Sequence, residues 1–383
     1  MTEKPDHLLY TLGLARITGI GLERWRRLHQ AFGTPAAIFR TNISALKAIG
    51  LPEKVVSGIL HPDWDLATAD LDWLRASDNR HLLTIDSPDY PLALAEIANP
   101  PPVLFVTGNP QLLHLPQLAI VGSRHASAAG NELATELAQA LVGKGYIITS
   151  GLALGIDAAA HRGALEANGT TAAVIATGPE QTYPQRHRKL RDEIAAKGVV
   201  VGENPTGVAP RAGLFPKRNR IVSGLTQGVV VIQAGRHSGA LITARLAAEQ
   251  GREVFAIPGS IHDPLARGCH ALLREGAKLV ESVYDIIEEL PGGSGSHRPA
   301  NSTFTGPAFP PPTTSHNLLA SDDEQAKMLA ALDHDPVTLD TLMRRSGLTL
   351  DRLSSILLTM EIKGLVAALP GGRYQRRKPG VKK

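Results

Sequence analysis

The central part of the chain alternates short apolar runs with helical patterns. Its first clear run, Leu118–Val121, has four consecutive apolar residues, a pattern typical of a strand buried on both faces. Further strand-like runs cover 146–149, 172–176, 199–202, 228–232 and 253–257, with a shorter one at 278–280. Helical patterns lie between them at 128–144, 155–167, 185–197, 217–224, 239–250 and 268–276. This alternation predicts an α/β fold with a mostly parallel sheet covered by helices on both faces.

The segments before this region predict a small helical domain and two strands. Residues 7–75 favour short helices joined by two glycine turns, Ile17–Gly21 and Ala48–Pro52. Such turns are typical of the SAM-like or helix-hairpin-helix class, whose backbone amides can hold DNA phosphates. The first turn has no lysine near it, which favours ordinary glycine helix caps instead. The strands His81–Ile85 and Pro102–Val106 are expected to flank the main sheet.

The C-terminal third separates into a linker and a small domain. Residues 291–317 are rich in Pro, Gly and Ser, and such a composition does not bury enough apolar surface to fold alone. Helical patterns and an apolar hairpin follow in an order that resembles a winged helix, at 322–332, 338–345, 349–363 and 365–369. The end from Arg373 has six lysines and arginines and no acid, which suits either a phosphate backbone or solvent. We therefore divide the chain into domains 1–78, 79–290 and 321–377, a linker 291–320 and a basic tail 378–383.

The composition says more about the cellular compartment of the protein than about its function. Apolar residues make up 43% of the 383 residues, and the net charge of +4 does not by itself indicate a polyanionic partner. Cys269 is the only cysteine, which excludes an internal disulfide and fits a reducing compartment. The first residues lack the apolar core of a signal peptide, and no apolar run is long enough to span a bilayer. We expect a cytoplasmic protein with no membrane partner.

Motifs for cofactors, metals and hydrolysis are missing from the sequence. The turn Gly122–Ser127 departs from the Gly-x-Gly-x-x-Gly of dinucleotide sites, and no P-loop motif or zinc-spaced Cys/His cluster occurs. Ser150, Asp157 and His161 could form a hydrolytic triad. However, no Gly-x-Ser-x-Gly turn is present, and Asp157 suits the first turn of a helix. We therefore expect no cofactor, no metal and no catalytic residue.

Three glycine-bearing loops follow predicted strands and open predicted helices. Their candidate binding residues are Gly122, Ser123 and Arg124 in the first, Ser150 and Gly151 in the second, and Gln233, Ser238, Gly239 and Thr243 in the third. Backbone amides, hydroxyls and a guanidinium at the carboxyl edge of a sheet suit an anion such as phosphate. Each loop alone is equally compatible with an ordinary turn, but three loops at one edge favour an anion site.

A basic segment lies between the second and third loops. Within ten residues it has four cations, an aromatic ring, an amide and no acid, at Arg211, Phe215, Lys217, Arg218, Asn219 and Arg220. Cations follow a phosphate backbone, and an aromatic ring stacks on an unpaired base for about 1–3 kcal/mol. Bases of a duplex are already stacked, so the ring favours single strands. The alternative is that the ring packs internally and the arginines are ordinary surface residues.

Together these motifs resemble the DNA-processing protein A family, also called DprA or Smf. The matching stretches are collinear over most of residues 80–290: Val121–Arg124, Ser150–Asp157 with Ala160-His161, Thr177-Gly178 with Tyr183-Pro184, Glu203–Pro205, Phe215–Leu225, and Ser238–Ala244 with Pro258-Gly259. The resemblance implies an extended Rossmann-like domain, with a SAM-like helical domain before it and a winged helix after it.

The resemblance also implies a DNA-binding function without catalysis. Members of this family bind incoming single-stranded DNA during natural transformation, protect it and help load RecA recombinase, as homodimers joined through the Rossmann-like domain. By this resemblance Arg124 and Lys217–Arg220 would contact phosphates, with Phe215 near a base.

Two positions depart from the family pattern. Gln233 stands where a glutamate is usual, and Gly268–His270 replaces Gly-Thr-Asn. Because Gln233 removes a negative charge beside the expected phosphate site, we expect it to tighten anion binding.

Two alternative functions stay open. The first is a nucleotide-processing enzyme like the lysine-decarboxylase-like phosphoribohydrolases, although Ala234–Gly239 replaces their Pro-Gly-Gly-x-Gly-Thr loop. The second is a regulator that binds duplex DNA through the winged helix.

Overall fold

The computed structural model describes residues 7–290, 322–332, 335–363, 365–369 and 372–376. The predicted linker 291–320 and the basic tail 378–383 lie outside these residues.

The N-terminal unit is built from short helices, as the glycine turns predict. Its helices are α1 (His7–Arg16), α2 (Leu22–Phe32), α3 (Pro35–Phe39), α4 (Ile43–Ala48), α5 (Glu53–Leu60) and α6 (Trp64–Arg75). Thr34, Asn42 and Asp63 cap three of them by accepting backbone N–H groups. The buried side chains of these helices also pack on Val103 and Phe105 of the adjoining sheet, so the unit shares its core with the next domain.

The central domain alternates strands and helices. Its elements are β1 (Arg80–Thr84), α7 (Leu92–Ala95), β2 (Val103–Gly108), β3 (Gln117–Gly122), α8 (Ala128–Val142), β4 (Ile147–Ser150), α9 (Ile156–Glu166), β5 (Thr171–Ile175), α10 (Arg188–Lys197), β6 (Val199–Gly202), α11 (Leu214–Gly224), β7 (Gly228–Ile232), α12 (Gly239–Glu249), β8 (Glu253–Ala256), α13 (Arg267–Arg274), β9 (Lys278–Leu279) and α14 (Val283–Ile287). Helix α11 begins three residues earlier than the pattern predicts. A 3-10 turn at Gln185–His187 precedes α10.

The strands of this domain form one sheet in the order β1-β2-β6-β5-β4-β3-β7-β8-β9. Pairing is parallel from β6 to β9, and β1 and β2 extend the β6 edge in antiparallel fashion. Alternate residues of β3 enter two different cores: Leu118 and Ile120 pack with α8 and α9, whereas Ala119 and Val121 pack with α11 and α12. Burial on both faces explains the continuous apolar runs, and the predicted mostly parallel α/β fold is confirmed.

The C-terminal unit is a winged helix, as predicted. It contains α15 (Asp322–Ala331), β10 (Val337–Thr338), α16 (Leu339–Ser346), α17 (Leu350–Ile362), β11 (Val366–Leu369) and β12 (Arg373–Arg376), with an antiparallel sheet in the order β10-β12-β11. Arg345 of α16 contacts the central domain, because its Nε donates to Glu132 of α8 at 3.0 Å. Among all the residues that are described, no helix is long and apolar enough to cross a membrane.

Candidate functional site

A groove of about 1030 Å³ lies at the carboxyl edge of the central sheet. The chain order reverses beside β3: β4, β5 and β6 extend the sheet on one side, and β7, β8 and β9 on the other. Such a switch point leaves a crevice in which open α/β sheets bind their ligands. The loops after β3, β4 and β7 line it, together with the first turns of α11 and α12 and residues 210–212. The predicted convergence of the three glycine loops is therefore confirmed.

Two glycines allow these loops to approach so closely. A Cβ atom on Gly122 would lie 2.0 Å from the carbonyl oxygen of Ile232, and one on Gly155 would lie 2.2 Å from that of Ser123. Gly155 also has a φ of +70°, a conformation that favours glycine. The backbones are joined directly, because the N–H of Ser123 donates to Gln233 at 2.7 Å. Glycine at these positions therefore fixes the shape of the groove.

The groove is strongly electropositive. The arginines that line it are Arg124, Arg211, Arg218, Arg236 and Arg267, and two histidines, His125 and His237, lie among them. Within the described parts of the chain, Asp157 is the only acid in the lining. Its Oδ2 accepts the N–H groups of Gly151 and Ala153 at 3.1 and 3.3 Å. Burial raises the pKa of this carboxyl, whereas the charge of Arg218 and these hydrogen bonds oppose the rise.

An aromatic pair lies beside Arg124. The Arg124 guanidinium carbon is 5.4 Å from the centroid of the Phe215 ring, a cation–π distance. The Tyr183 ring lies on Phe215 with a centroid separation of 5.3 Å and a tilt of 45°. Tyr183 is 45% exposed, whereas Phe215 is partly buried between its two neighbours. Tyr183 thus presents the more accessible aromatic ring to the groove.

Arg218 forms the floor of the groove. Its side chain is 5% exposed and donates from Nη1 to the carbonyl oxygens of Gly151, at 2.7 Å, and Val174. Burial lowers the pKa of this guanidinium to about 10, with the charge of Asp157 opposing the shift. Arg218 is therefore still a cation at neutral pH, but its Nη1 is bound by these two carbonyl oxygens and its Nε by the Asn219 side chain.

Most of the predicted site residues come together in the groove. Those that line it are Gly122, Ser123, Arg124, Gly151, Arg211, Phe215, Arg218, Asn219, Ser238, Gly239 and Thr243. Ser150, Lys217, Arg220 and Gln233 do not line it, and we omit these four from the set of direct ligand contacts.

Hydrogen bonds and ion pairs within the protein hold these four side chains outside the groove. Ser150 is fully buried and donates to the carbonyl oxygen of Ile120 at 2.6 Å. Lys217 and Arg220 lie on another face of α11 and pair with Glu203 at 3.3 and 2.7 Å.

The fourth residue, Gln233, is directed toward the start of α8. Its Oε1 accepts the N–H of Ser127 at 2.9 Å and its Nε2 donates to the Ser127 hydroxyl at 2.8 Å. Gln233 therefore holds the two ends of the loop 123–127 and does not contact a ligand in the groove.

The alternative of a hydrolytic triad, which the sequence disfavours, has no accessible nucleophile or base. Ser150 and His161 are both 0% exposed, so neither reaches a molecule in the groove. The Nδ1 of His161 lies 2.7 Å from the Thr171 hydroxyl, and its Nε2 has no hydrogen-bond partner among the described residues. Among the residues with described placement, no group of three or more His, Cys, Asp or Glu is arranged to hold a metal ion.

Sequence reasoning did not assign several groove residues. Tyr183 occurs in a matching motif and Arg236 in the third loop, but the motifs alone do not mark either residue as a contact. Arg267 begins α13 and is distant in sequence from all the motifs. The sequence offers one signal for Arg236, which is a cation within a glycine-bearing loop. No local pattern marks Arg267.

Fold and site together define a Rossmann-like α/β protein with an electropositive groove at its switch point, joined to a winged helix. Residues 81–291 match the family model described as DNA recombination-mediator protein A, and residues 308–372 match the DprA winged helix domain. The chain belongs to the DNA recombination-mediator protein A family. The resemblance inferred from the sequence motifs is confirmed.

Known proteins resemble the chain over most of its length. Protein Smf from Synechocystis is 35% identical over 96% of this chain and 98% of its own. A crystal structure of DNA processing protein A from Streptococcus pneumoniae has a TM-score of 0.65 at 35% identity, covering 74% of this chain and 98% of that one. A structure of DNA processing protein A from Helicobacter pylori, described for its single-stranded DNA binding mode, has a TM-score of 0.50 at 29% identity, covering 55% and 94%.

Proposed function

We propose that the groove binds single-stranded DNA and that the protein acts, without catalysis, as a recombination mediator in natural transformation. The observation that carries this proposal is one groove that combines arginines without an acidic partner, an exposed aromatic ring and, among its described lining residues, one acid that is buried. The relative from Helicobacter pylori, whose structure concerns single-stranded DNA binding, supports the same assignment.

The cationic rim supplies the affinity for the phosphate backbone. Arg124, Arg211, Arg236 and Arg267 are exposed, and no acidic partner for them occurs within the described ranges. The N-terminus of α12 adds a partial positive charge, because its first residues line the same groove. These contacts do not depend on base identity, so we expect binding that is strong at low salt and tolerant of sequence.

The aromatic pair supplies the preference for single strands. Arg124 and Tyr183 both lie against Phe215, so Phe215 supports the other two side chains. The exposed ring of Tyr183 is then the surface on which an unpaired base stacks. A duplex presents no free base face, and therefore gains nothing from this ring.

The wider role that we propose for the protein is inferred from its family. The family description as a recombination mediator supports a protein that protects bound single strands and helps load RecA recombinase onto them. We propose that it does so as a homodimer joined through the Rossmann-like domain, as the resemblance to its family implies.

Fluorescence anisotropy with a labelled single strand and the matching duplex tests the proposal. We expect the single strand to bind more tightly at every salt concentration and RecA to nucleate faster on strands carrying the protein. Preference for the duplex would favour a winged-helix regulator. Release of ribose phosphate from a nucleoside monophosphate would favour a phosphoribohydrolase-like enzyme.

A further inference from the structure

A buried ion pair lies on the side of the N-terminal unit that faces the central domain. Nε of Arg16 on α1 is 2.5 Å from Oδ2 of Asp70 on α6, and its Nη2 donates to Oδ1 at 2.8 Å. The two side chains are 11% and 0% exposed. A bidentate, buried pair of this kind fixes both groups in one geometry.

This pair holds a residue of the central domain. Both the N–H and the hydroxyl of Thr206 lie 2.8 Å from Oδ1 of Asp70. Nη2 of Arg16 in turn lies 3.0 Å from the carbonyl oxygen of Thr206 and 3.0 Å from its hydroxyl. Thr206 therefore has its backbone and its side chain bound by the N-terminal unit.

Thr206 belongs to the loop 203–213, which joins β6 to α11 and enters the groove. Just after Thr206, the N–H of Gly207 donates to Glu180 at 2.8 Å, and the carbonyl oxygen of Val208 accepts from Gly178 at 2.9 Å. The next residues, Pro210 to Ala212, line the groove and include Arg211. The fixed part of the loop thus ends at Val208, and only Ala209 separates it from the part that lines the groove.

We propose that Arg16 and Asp70 are positioning residues for DNA binding: through Thr206 they hold the loop 203–213 so that Arg211 faces the groove. This inference rests on the proposed single-strand binding. Without this anchor, the loop would become ordered only when DNA binds. The conformational entropy lost at that step would weaken the affinity. The N-terminal unit therefore contributes to the DNA site although none of its described residues, 7–75, lines the groove.

The test compares two single variants of the full chain, Asp70→Asn and Thr206→Val. The second variant leaves the ion pair intact. We expect each to weaken single-strand binding at least fivefold. We also expect the salt slope of log affinity to flatten by about 0.7, the value for one lost phosphate contact. Arg211→Ala should show the same slope change, and adding Asp70→Asn or Thr206→Val to it should produce no further loss.

Two control variants separate positioning from general stability. Trp25→Phe removes another bond between the N-terminal unit and the central domain, from Nε1 to Asp86 at 2.9 Å, and should leave affinity and slope unchanged. Thr206→Ser keeps the hydroxyl and should bind like the wild type. Trypsin cleavage after Arg211 gives a readout without DNA, and should be at least fivefold faster in Asp70→Asn and Thr206→Val.

The outcomes distinguish this proposal from the proposed function. Wild-type affinity and cleavage in the folded Asp70→Asn and Thr206→Val variants would overturn the positioning role, as would losses that add to that of Arg211→Ala. Should Asp70→Asn fail to fold, Thr206→Val decides. If the wild type itself does not bind single strands, the proposed function fails, and unchanged cleavage after Arg211 in the variants would still overturn the anchor.

Discussion

Nη1 of Arg218 donates a hydrogen bond of 2.7 Å to the carbonyl oxygen of Gly151, and thereby joins α11 to the end of β4. The same atom contacts the carbonyl oxygen of Val174 on β5. Since these carbonyls and Arg218 are buried, the guanidinium holds the floor of the groove together. A cation that the sequence associates with phosphate binding is thus part of the framework of the groove.

We predict that Arg218→Ala lowers the free energy of unfolding by about 3 kcal/mol, because it leaves buried carbonyls unpaired and Asp157 without its nearby positive charge. Urea denaturation measures this change. Lys217→Ala is the matched control on the same helix: Lys217 is half exposed and outside the groove, so its stability should stay within about 0.5 kcal/mol of wild type. Equal losses in the two variants would contradict the structural role of Arg218.

Arg124→Ala should weaken single-strand binding about tenfold, which corresponds to about 1.4 kcal/mol for a charged contact. The loss should be the same for different base sequences, because phosphates carry no sequence information. Anisotropy titrations at several salt concentrations should also show a flatter salt slope. Lys217→Ala should retain affinity within twofold, and wild-type affinity in Arg124→Ala would remove this residue from the site.

Tyr183→Ala should reduce the affinity for single strands by about 1–3 kcal/mol, the usual contribution of one stacked base. Tyr183→Phe keeps the ring face and should bind as well as the wild type. Binding to duplex DNA should be the same in all three proteins. An equal loss for single strands and duplex in Tyr183→Ala would argue against stacking.

His161 should make the protein less stable at acid pH. Burial, with contributions from the charges of His187, Arg218 and Arg162, lowers its pKa to about 3. In the unfolded chain its pKa is about 6.5, so between these values the unfolded state binds a proton that the folded state does not. The free energy of unfolding therefore falls as pH decreases from 6.5 toward 3, by up to about 1.4 kcal/mol per pH unit from this residue.

His161→Asn tests this linkage, because its amide can still donate to the Thr171 hydroxyl but does not titrate. Urea denaturation between pH 7 and pH 4.5 should show a shallower dependence in the variant than in the wild type. Parallel pH profiles would mean that His161 does not titrate differently in the two states.

The sheet and the groove position were predictable for a simple physical reason. Strands buried on both faces must be continuously apolar, as in Leu118–Val121, and parallel strands bring all their carboxyl ends to one edge. The sequence alone therefore predicts that the glycine loops that follow these strands lie together.

The orientation of individual side chains was harder to predict. Lys217, Arg218 and Arg220 lie within four residues of the sequence, but the helix directs Lys217 and Arg220 toward Glu203 and Arg218 toward the floor of the groove. A dense run of basic residues in a sequence does not reveal which side of the helix each residue faces. The contact of Arg16 and Asp70 with Thr206 was beyond prediction, because it joins residues 190 and 136 positions apart without any local pattern.

The most direct test of the central claim is photo-crosslinking of the full chain to a single strand containing 5-iodouracil, followed by peptide mapping. If a base stacks in the groove, crosslinks should form at Tyr183 or Phe215, should decrease strongly in Arg124→Ala, and should be absent with duplex. Crosslinks confined to the winged helix or the basic tail, with none at the groove, would contradict the account.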